Sequence, residues 1–384
     1  MAKGRLYPSE AKKLHDPKTG VLVWQITDHP SINHHLYFLT SSTTPNERHI
    51  VFASTRSGRT NFYLAGFPSG DIVQLTDGER IHGFSGTLDR SGTVLYFTAG
   101  GEVRSVDLRT LEERTLADFS PAHLGECSLN AEGRWLISAA KFPDRFAIVA
   151  TRTDGSQQRT VYESPRTIIH PQFHPADPTL IEFAHDPAPR MHFIRLDGSG
   201  FRCLWEHGND EFLVHETFLD ASTDLIVVRW PYALQRFSPQ TGRMETIARL
   251  NAWHICPTRN GRYVICDTAH PDVGIRVVSV RTGLHRPLCY PESSNRGSQW
   301  RKDRYALLED WERASQEAAQ ERSEHLSWME MEADTVYGPQ WTHPHPSLSA
   351  SERWVIFTSD RTGHPQVYAA RIPDDFFAQL DERN

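Results

Sequence analysis

Two histidines separated by one residue, His343 and His345, form the pair in this sequence best suited to bind a metal ion. Side chains two residues apart point to the same side of an extended segment, so both imidazoles can reach one ion. Pro344 and Pro346 follow the two histidines, and a proline favours extended conformations in the residue before it. Gln340, three residues upstream, offers an amide oxygen. This mixed donor set suits a borderline divalent cation, although His-Pro pairs also occur in ordinary turns.

The bulk composition limits the classes of partner. The chain has 384 residues, and 41 lysines and arginines against 48 aspartates and glutamates give a formal net charge of -7. Its basic residues are scattered, which argues against nucleic acid and anionic membranes as partners. The sequence shows no apolar signal core, no run of membrane-spanning length and no Cys-x-x-Cys spacing among its five cysteines. We therefore expect a soluble cytoplasmic protein with reduced thiols, and the oligomeric state, a homo-oligomer included, stays open.

One pattern of polar turns and β-rich apolar runs returns along the whole chain. Short strands that repeat at a spacing of about forty residues are typical of four-stranded propeller blades. The first strands of seven copies lie at 47–54, 90–97, 131–138, 176–183, 221–228, 259–266 and 350–357. We therefore predict an all-β fold, a seven-bladed β-propeller, with residues 1–384 as a single domain. Because the seventh copy lacks its fourth strand, we expect the N-terminal strand at about 20–28 to close the ring.

The segment 301–337 interrupts the repeats between the sixth and seventh copies. It contains no glycine or proline, and Leu308, Trp311 and Ala314 recur at helical spacing. This pattern predicts a helical insertion between blades 6 and 7. Since the insertion directly precedes Gln340, it is either a lid beside the propeller mouth or a surface helix packed against a blade.

Histidines recur at one phase of the repeats, near the start of the inner strand of each blade. The inner strands of a propeller line its central channel, so residues at equivalent positions converge there from distant parts of the sequence. This recurrence predicts a histidine-lined channel around the His343 and His345 pair. The members of the series are His34, His35, His82, His123, His170, His174, His215 and His254.

The segment Gln-Trp-Thr-His-Pro-His-Pro-Ser at 340–347, followed by Ile-Phe-Thr-Ser-Asp at 356–360, resembles the terminal-blade motif of the oligogalacturonate lyases. These are cytoplasmic seven-bladed propellers of pectin degradation. The resemblance implies a divalent metal as cofactor, most often Mn2+. Its implied ligands are His254, Gln340, His343 and His345.

The same resemblance implies roles for residues in other blades. His215 would be the general base, and Arg190 would act beside it as a catalytic residue that grips a uronate carboxylate. His185, Arg56 and Arg59 complete the candidates for substrate binding. The implied reaction is β-elimination of uronic acid oligosaccharides (oligogalacturonides) to 4,5-unsaturated products. In it the base removes the C5 proton and the metal neutralises the uronate carboxylate.

The sequence departs from this family in two places. Its loop at 184–190 is shorter, and the insertion at 301–337 replaces a shorter, less helical segment. Both would border the substrate, so the uronide, its chain length and the identity of the metal stay open. A non-enzymatic propeller that binds a protein or carbohydrate partner explains the seven copies equally well, but not the four implied metal ligands. A serine peptidase is excluded, because the chain has no Gly-x-Ser-x-Gly motif.

Overall fold

The computed structural model describes residues 3–186, 188–208, 211–269, 271–295 and 340–382. Within these ranges the secondary structure is almost entirely β. The first strands are β1 (Leu6–Tyr7), β2 (Lys12–His15), β3 (Leu22–Gln25), β4 (Asn33–His35), β5 (His49–Ser54), β6 (Asn61–Gly66), β7 (Ile72–Gln74), β8 (Thr87–Leu88), β9 (Val94–Ala99), β10 (Glu102–Asp107), β11 (Glu113–Asp118), β12 (His123–Leu129), β13 (Trp135–Lys141), β14 (Phe146–Arg152) and β15 (Gln158–Ser164). The others are β16 (Thr167–Phe173), β17 (Leu180–Asp186), β18 (Met191–Arg195), β19 (Arg202–Cys203), β20 (Leu213–Phe218), β21 (Leu225–Arg229), β22 (Ala233–Ser238), β23 (Arg243–Ala248), β24 (Ala252–Pro257), β25 (Tyr263–Thr268), β26 (Ile275–Ser279), β27 (His285–Cys289), β28 (Ser347–Leu348), β29 (Trp354–Ser359) and β30 (Gln366–Arg371).

These strands form seven antiparallel sheets, the blades of a β-propeller. Blades 2 to 6 consist of β8–β11, β12–β15, β16–β19, β20–β23 and β24–β27, with four strands each. Blade 1 contains β4–β7 and an outer fifth strand, β1; blade 7 contains β28–β30, β3 and an outer fifth strand, β2. The prediction of an all-β, seven-bladed propeller is confirmed. The two fifth strands have no counterpart in the repeat that the sequence displays.

Blade 7 is built from both ends of the chain. Strand β3 pairs with β30, with Val23 opposite Ala370 and Trp24 opposite Ala369. Strand β2 then pairs with β3, while β1 pairs with the outer strand of blade 1. The first 25 residues therefore contribute strands to the two blades that adjoin each other where the ring closes.

The apolar core lies between neighbouring blades. Phe62 of blade 1 meets Phe97 of blade 2 edge to face, with their ring centroids 5.6 Å apart, and both side chains are fully buried. On the other side of blade 1, Phe52 and Tyr63 pack in one cluster with Val367 of blade 7. Burial of each large apolar side chain stabilises the fold by about 1.5–3 kcal/mol. Alternating strand residues thus cover both faces of each blade.

In five blades the turn between the first two strands contains a residue with positive φ. This residue is Gly92 in blade 2, Gly133 in blade 3 and Gly261 in blade 6, with φ of 69°, 70° and 64°. Glycine adopts this conformation without a Cβ clash. Blades 1 and 7 place Glu47 and Glu352 there instead, at φ of 51° and 59°. The polar turn at the start of these five sequence copies is this structure.

Helices are minor in the described ranges. A 3-10 helix covers Gln340–Thr342, and α1 (Phe376–Asp381) packs Phe376 and Leu380 into the core of blades 6 and 7. The predicted helical insertion at 301–337 lies outside the described residues and stays a prediction. All five cysteines are unbonded.

None of the described helices has the length and apolar character that a bilayer crossing requires.

Candidate metal centre in the central channel

Bulges in the inner strands direct side chains into the central channel. In β16 and β20 the pairing register shifts at His170 and His215, which have positive φ of 52° and 54°. In β24 it shifts at Trp253 and His254. A bulge inserts an extra residue and changes the direction of its side chain. His345, just before β28, also has positive φ, so these four histidines share a backbone irregularity.

The backbone at His345 differs from the extended conformation predicted for it. Its φ is 46°, in the left-handed region, and the segment before it begins as a 3-10 helix rather than as a strand. The influence of Pro346 on the preceding residue is outweighed by the turn into β28, so this prediction is wrong for His345. The rings of His343 and His345 nevertheless converge, with centroids 5.6 Å apart and an interplanar angle of 23°.

Three histidines from blades 6 and 7 meet at one point. The nitrogen atoms of His254, His343 and His345 available for metal binding all lie within 4.8 Å of one another, and each residue is 1% exposed. Ligand nitrogens about 2.1 Å from a shared ion are separated by at most about 4.2 Å. Small ring rotations would therefore bring all three nitrogens to one ion. We refer to these residues as the histidine triad.

Hydrogen bonds fix the imidazole tautomers of two triad members. His254 Nδ1 donates to Asp267 Oδ2 at 2.8 Å, and His345 Nδ1 donates to the carbonyl oxygen of His343 at 3.2 Å. In each ring the Nε2 atom then carries the lone pair. His345 Nε2 is buried and has no hydrogen-bond partner among the described residues. A buried lone pair of this kind fits a metal ligand.

The fourth predicted ligand is Gln340. Residue Gln340 begins the 3-10 helix, but its side chain lies outside the described residues. Its predicted role as a metal ligand stays a prediction.

His215 lies next to the triad. Its ring centroid is 4.4 Å from that of His254 and 5.5 Å from that of Phe38. Burial lowers the pKa of His215 well below its ordinary value, and the nearby His254 and Arg190 lower it further. The imidazole is therefore neutral at neutral pH. Its Nδ1 atom has no hydrogen-bond partner among the described residues, so a lone pair or a proton can be placed there without displacing a protein contact.

Two aromatic residues that follow β4 fill the channel beside these histidines. The ring of Phe38 lies 5.3 Å from that of His254, between centroids. The hydroxyl of Tyr37 and Nε2 of His170 are 2.8 Å apart. Burial lowers the pKa of His170 to about 3 and raises that of Tyr37 well above its ordinary value. The sequence reasoning missed both aromatic residues, because nothing in their local spacing separates a channel position from a core position.

Other histidines of the predicted series have different contacts. His34 and His82 pack against Phe84, which precedes β8. His35 Nε2 lies 3.2 Å from the carbonyl oxygen of Pro344. His174 Nδ1 accepts hydrogen bonds from two amides of its own loop, at 3.0 and 2.8 Å. His123 is partly exposed beside an arginine. Three members of the series, His170, His215 and His254, thus face one another in the channel.

Arg190 is buried between carboxylates of its own chain. Its Nη1 donates to Asp186 at 3.0 Å, while Nε and Nη2 donate to the two carboxylate oxygens of Glu216 at 3.1 and 3.2 Å. Burial raises the pKa of Glu216, but the charge of Arg190 and the hydrogen bonds to the carboxylate together outweigh this effect and hold the pKa below its ordinary value. Burial and the Glu216 charge raise the pKa of neighbouring Glu182 well above its ordinary value. In this structure internal carboxylates bind all three of these nitrogens, and the predicted contact of Arg190 with a uronate carboxylate stays a prediction.

The remaining three substrate-binding candidates contact residues other than the histidine triad, and their predicted role stays a prediction. The side chain of Arg56 is 0% exposed and forms a two-point ion pair with Glu10, at 2.8 and 3.2 Å. Arg59 is 46% exposed and pairs with two surface acids. His185 Nδ1 donates to the Thr167 carbonyl oxygen at 3.0 Å. Each of these side chains is bound within its own blade or its neighbour.

The carboxylate of Asp267 is the site residue that the sequence reasoning missed most clearly. It lies in β25, where all six residues are buried. An ionisable residue in a fully buried strand is rare unless it is paired. An aspartate next to the apolar run of β25 is therefore the signal by which the sequence could have indicated Asp267.

Fold and site together define a seven-bladed propeller with a buried histidine triad in its central channel. A family model described as oligogalacturonate lyase matches residues 1–134. The chain is 23% identical to an oligogalacturonide lyase of Pectobacterium atrosepticum and 23% identical to an oligogalacturonate lyase of Dickeya dadantii. Each alignment covers 97% of this chain and 99% of the relative.

Two solved structures are similar over nearly the whole chain. One is an oligogalacturonate lyase in complex with manganese, with a TM-score of 0.79 and 20% identity, covering 98% of this chain and 100% of that one. The other is an oligogalacturonate lyase from Vibrio parahaemolyticus, with a TM-score of 0.77, 20% identity and the same coverage. At this level of identity the structures establish the fold. With the sequence matches, they confirm the resemblance to the oligogalacturonate lyase family.

Proposed function

We propose that this protein is a metal-dependent lyase that cleaves oligogalacturonides, or closely related uronic acid oligosaccharides, by β-elimination to 4,5-unsaturated products. The observation that carries this proposal is the convergence of the histidine triad within 4.8 Å, with the ring of His215 4.4 Å from that of His254. At the level of enzyme class, the prediction of a lyase is confirmed by the matching family model and by both curated relatives.

The triad, with Gln340 as a fourth donor, would hold a divalent cation. Such a cation, when bound, supplies Lewis-acid neutralisation of the uronate carboxylate next to C5. Manganese is the ion we propose, because one of the similar solved structures is an oligogalacturonate lyase in complex with manganese. The donor set of imidazole nitrogens suits several first-row ions. We also retain the predicted cytoplasmic location, which the five unbonded cysteines support.

His215 is the general base in this proposal. Because burial keeps its imidazole neutral, the ring can accept the weakly acidic C5 proton, and Nδ1 is the atom with room for it. A positioned base of this kind contributes roughly a hundred- to ten-thousandfold in rate. Arg190 acts through His215 here, since its positive charge helps to keep that ring neutral, while its guanidinium stays bound to Asp186 and Glu216.

The test is an ultraviolet assay for the conjugated double bond that β-elimination of di- and trigalacturonate creates. Protein treated with a chelator is compared with the same protein resupplied with manganese. Metal-dependent growth of absorbance is the expected result. If no absorbance develops but the protein binds manganese, the substrate is another uronide; if neither is observed, a non-enzymatic propeller replaces this proposal.

A further inference from the structure

Asp267 links the two blades that supply the histidine triad. Its Oδ1 accepts a hydrogen bond from the backbone N–H of His254 at 2.6 Å, and its Oδ2 accepts one from His254 Nδ1 at 2.8 Å. The backbone N–H of His345, in the next blade, donates to Oδ2 at 3.2 Å. Asp267 itself is 2% exposed. One buried carboxylate therefore receives three donors, all from two triad residues.

The position of Asp267 follows from the bulge in β24. Ala252 pairs with Thr268 and Ile255 pairs with Cys266, so Trp253 and His254 together lie opposite Asp267. Because the bulge interrupts the ladder, the backbone N–H of His254 cannot find its usual partner on β25. The Asp267 side chain replaces that partner.

These contacts determine which nitrogen of His254 can bind a metal. A carboxylate only accepts hydrogen bonds, so Nδ1 of His254 must carry the proton and Nε2 must carry the lone pair. A carboxylate that receives a histidine N–H also makes the opposite nitrogen a better ligand. The contact to His345 N–H holds the left-handed turn that brings the second ring to within 3.9 Å of the first, between centroids.

We propose that Asp267 is the positioning residue of the metal centre: it fixes the Nδ1-protonated tautomer of His254 and holds His254 and His345 in register across blades 6 and 7. This inference rests on the proposed function, because it concerns the metal that the triad would hold. In this role Asp267 acts through its hydrogen bonds to the two histidines.

The test compares manganese affinity, measured by isothermal titration, in the wild type, Asp267→Asn and Asp16→Asn. In Asp267→Asn a single amide oxygen remains as acceptor for three donors. Where the amide nitrogen faces His254 Nδ1 it donates to that atom, so the imidazole proton moves to Nε2; in the other orientation one donor is left unpaired. We expect manganese to bind about 10- to 100-fold more weakly. Asp16 is the matched control, since it is 3% exposed and accepts three backbone N–H groups away from the triad. Its variant should bind manganese like the wild type.

A second measurement does not depend on a variant of Asp267. Spectra of the metal-free wild type labelled with 15N-histidine should show His254 protonated at Nδ1, with its signal assigned by its loss in His254→Gln. Protonation at Nε2, or an Asp267→Asn affinity within threefold of the wild type, would overturn the inference. A wild-type protein that binds no manganese would overturn the proposed metal centre, and with it the role of Asp267 toward a metal. Protonation of His254 at Nδ1 would still support the role of Asp267 in fixing the tautomer.

Discussion

The guanidinium of Arg190 donates to both carboxylate oxygens of Glu216, at 3.1 and 3.2 Å, and neither residue is more than 5% exposed. Glu216 directly follows His215, the proposed base, within the same bulge of β20. The ion pair therefore anchors the backbone that presents the base. It also places a permanent positive charge near an imidazole that must stay neutral.

Removing Arg190 should cost substantial stability. Arg190→Met leaves Asp186 and Glu216 buried without their cation, and loss of one partner of a buried ion pair typically costs about 3–5 kcal/mol. Arg59→Met is the control, because Arg59 is 46% exposed and its ion pairs are worth about 1 kcal/mol or less. Urea denaturation of both variants measures the difference. Similar losses in the two variants would contradict the internal role of Arg190.

Substitution of His215 and of His345 should separate elimination from metal binding. His215→Ala should reduce elimination by roughly a hundred- to ten-thousandfold and keep the metal, because the triad is intact. His345→Ala should lose both, since it removes a ligand. Metal content and the absorbance assay measure the two properties, with His123→Gln as the control from the same predicted histidine series. Equal metal loss in the two alanine variants would show that the roles are assigned wrongly.

Acid should destabilise the fold through its buried neutral histidines. Burial lowers the pKa of His34 to about 4 and of His170 to about 3, from 6.5. As the pH falls below 6.5, the unfolded chain binds protons before the folded chain does, so the free energy of unfolding decreases. The contribution of these neutral histidines to the free energy of unfolding is fully present above pH 6.5. In acid each contribution falls by about 1.4 kcal/mol per unit of difference between the unfolded and folded pKa values.

Thermal melting between about pH 7.5 and pH 5 checks this dependence. His34→Gln should give a shallower decrease of the melting temperature with falling pH than the wild type. His49→Gln is the surface control, because His49 is exposed on β5, and it should keep the wild-type slope. A slope in His34→Gln equal to that of the wild type would exclude His34 from the effect.

Loss of β3 should destabilise the whole ring. Val23 is 1% exposed and packs in one cluster with Tyr368 of β30. Val23→Asp buries a charge at the seam and should cost about 3 kcal/mol or more, and deletion of residues 1–28 should abolish cooperative melting. Lys13→Asp, on exposed β2, is the matched surface change. An unchanged melt of the deletion variant would mean that the seam contributes little to stability.

The sequence predicts the blades well because their signal is local. Each blade alternates apolar residues within a few positions of a polar turn, and this pattern can be recognised without knowledge of contacts. The convergence of His254 with His343 and His345 also follows from the repeat, once equivalent positions are assigned to the channel. The left-handed φ of His345 does not, because the turn into β28 that requires it depends on contacts with residues distant in sequence, such as Asp267.

The partners of charged residues are what the sequence could not supply. Arg190 binds Glu216, 26 positions away, and Asp267 binds His345, 78 positions away. Residue type indicates that a buried charge needs a partner, but not which one. Arg56 illustrates this limit, since its ion pair with Glu10 depends on an N-terminal segment that the repeat pattern does not include.

The pairing of β3 with β30 also fixes the order of events during synthesis. Val23 leaves the ribosome long before Ala370, its partner, exists. The early blades can form while translation continues, but the seam must wait until nearly all the strands have been made, as expected for pairings of high sequence separation. His343 and His345 lie in blade 7, so the proposed site can acquire an ion only after that blade has been synthesised. Metal loading should therefore be a post-translational event for this protein.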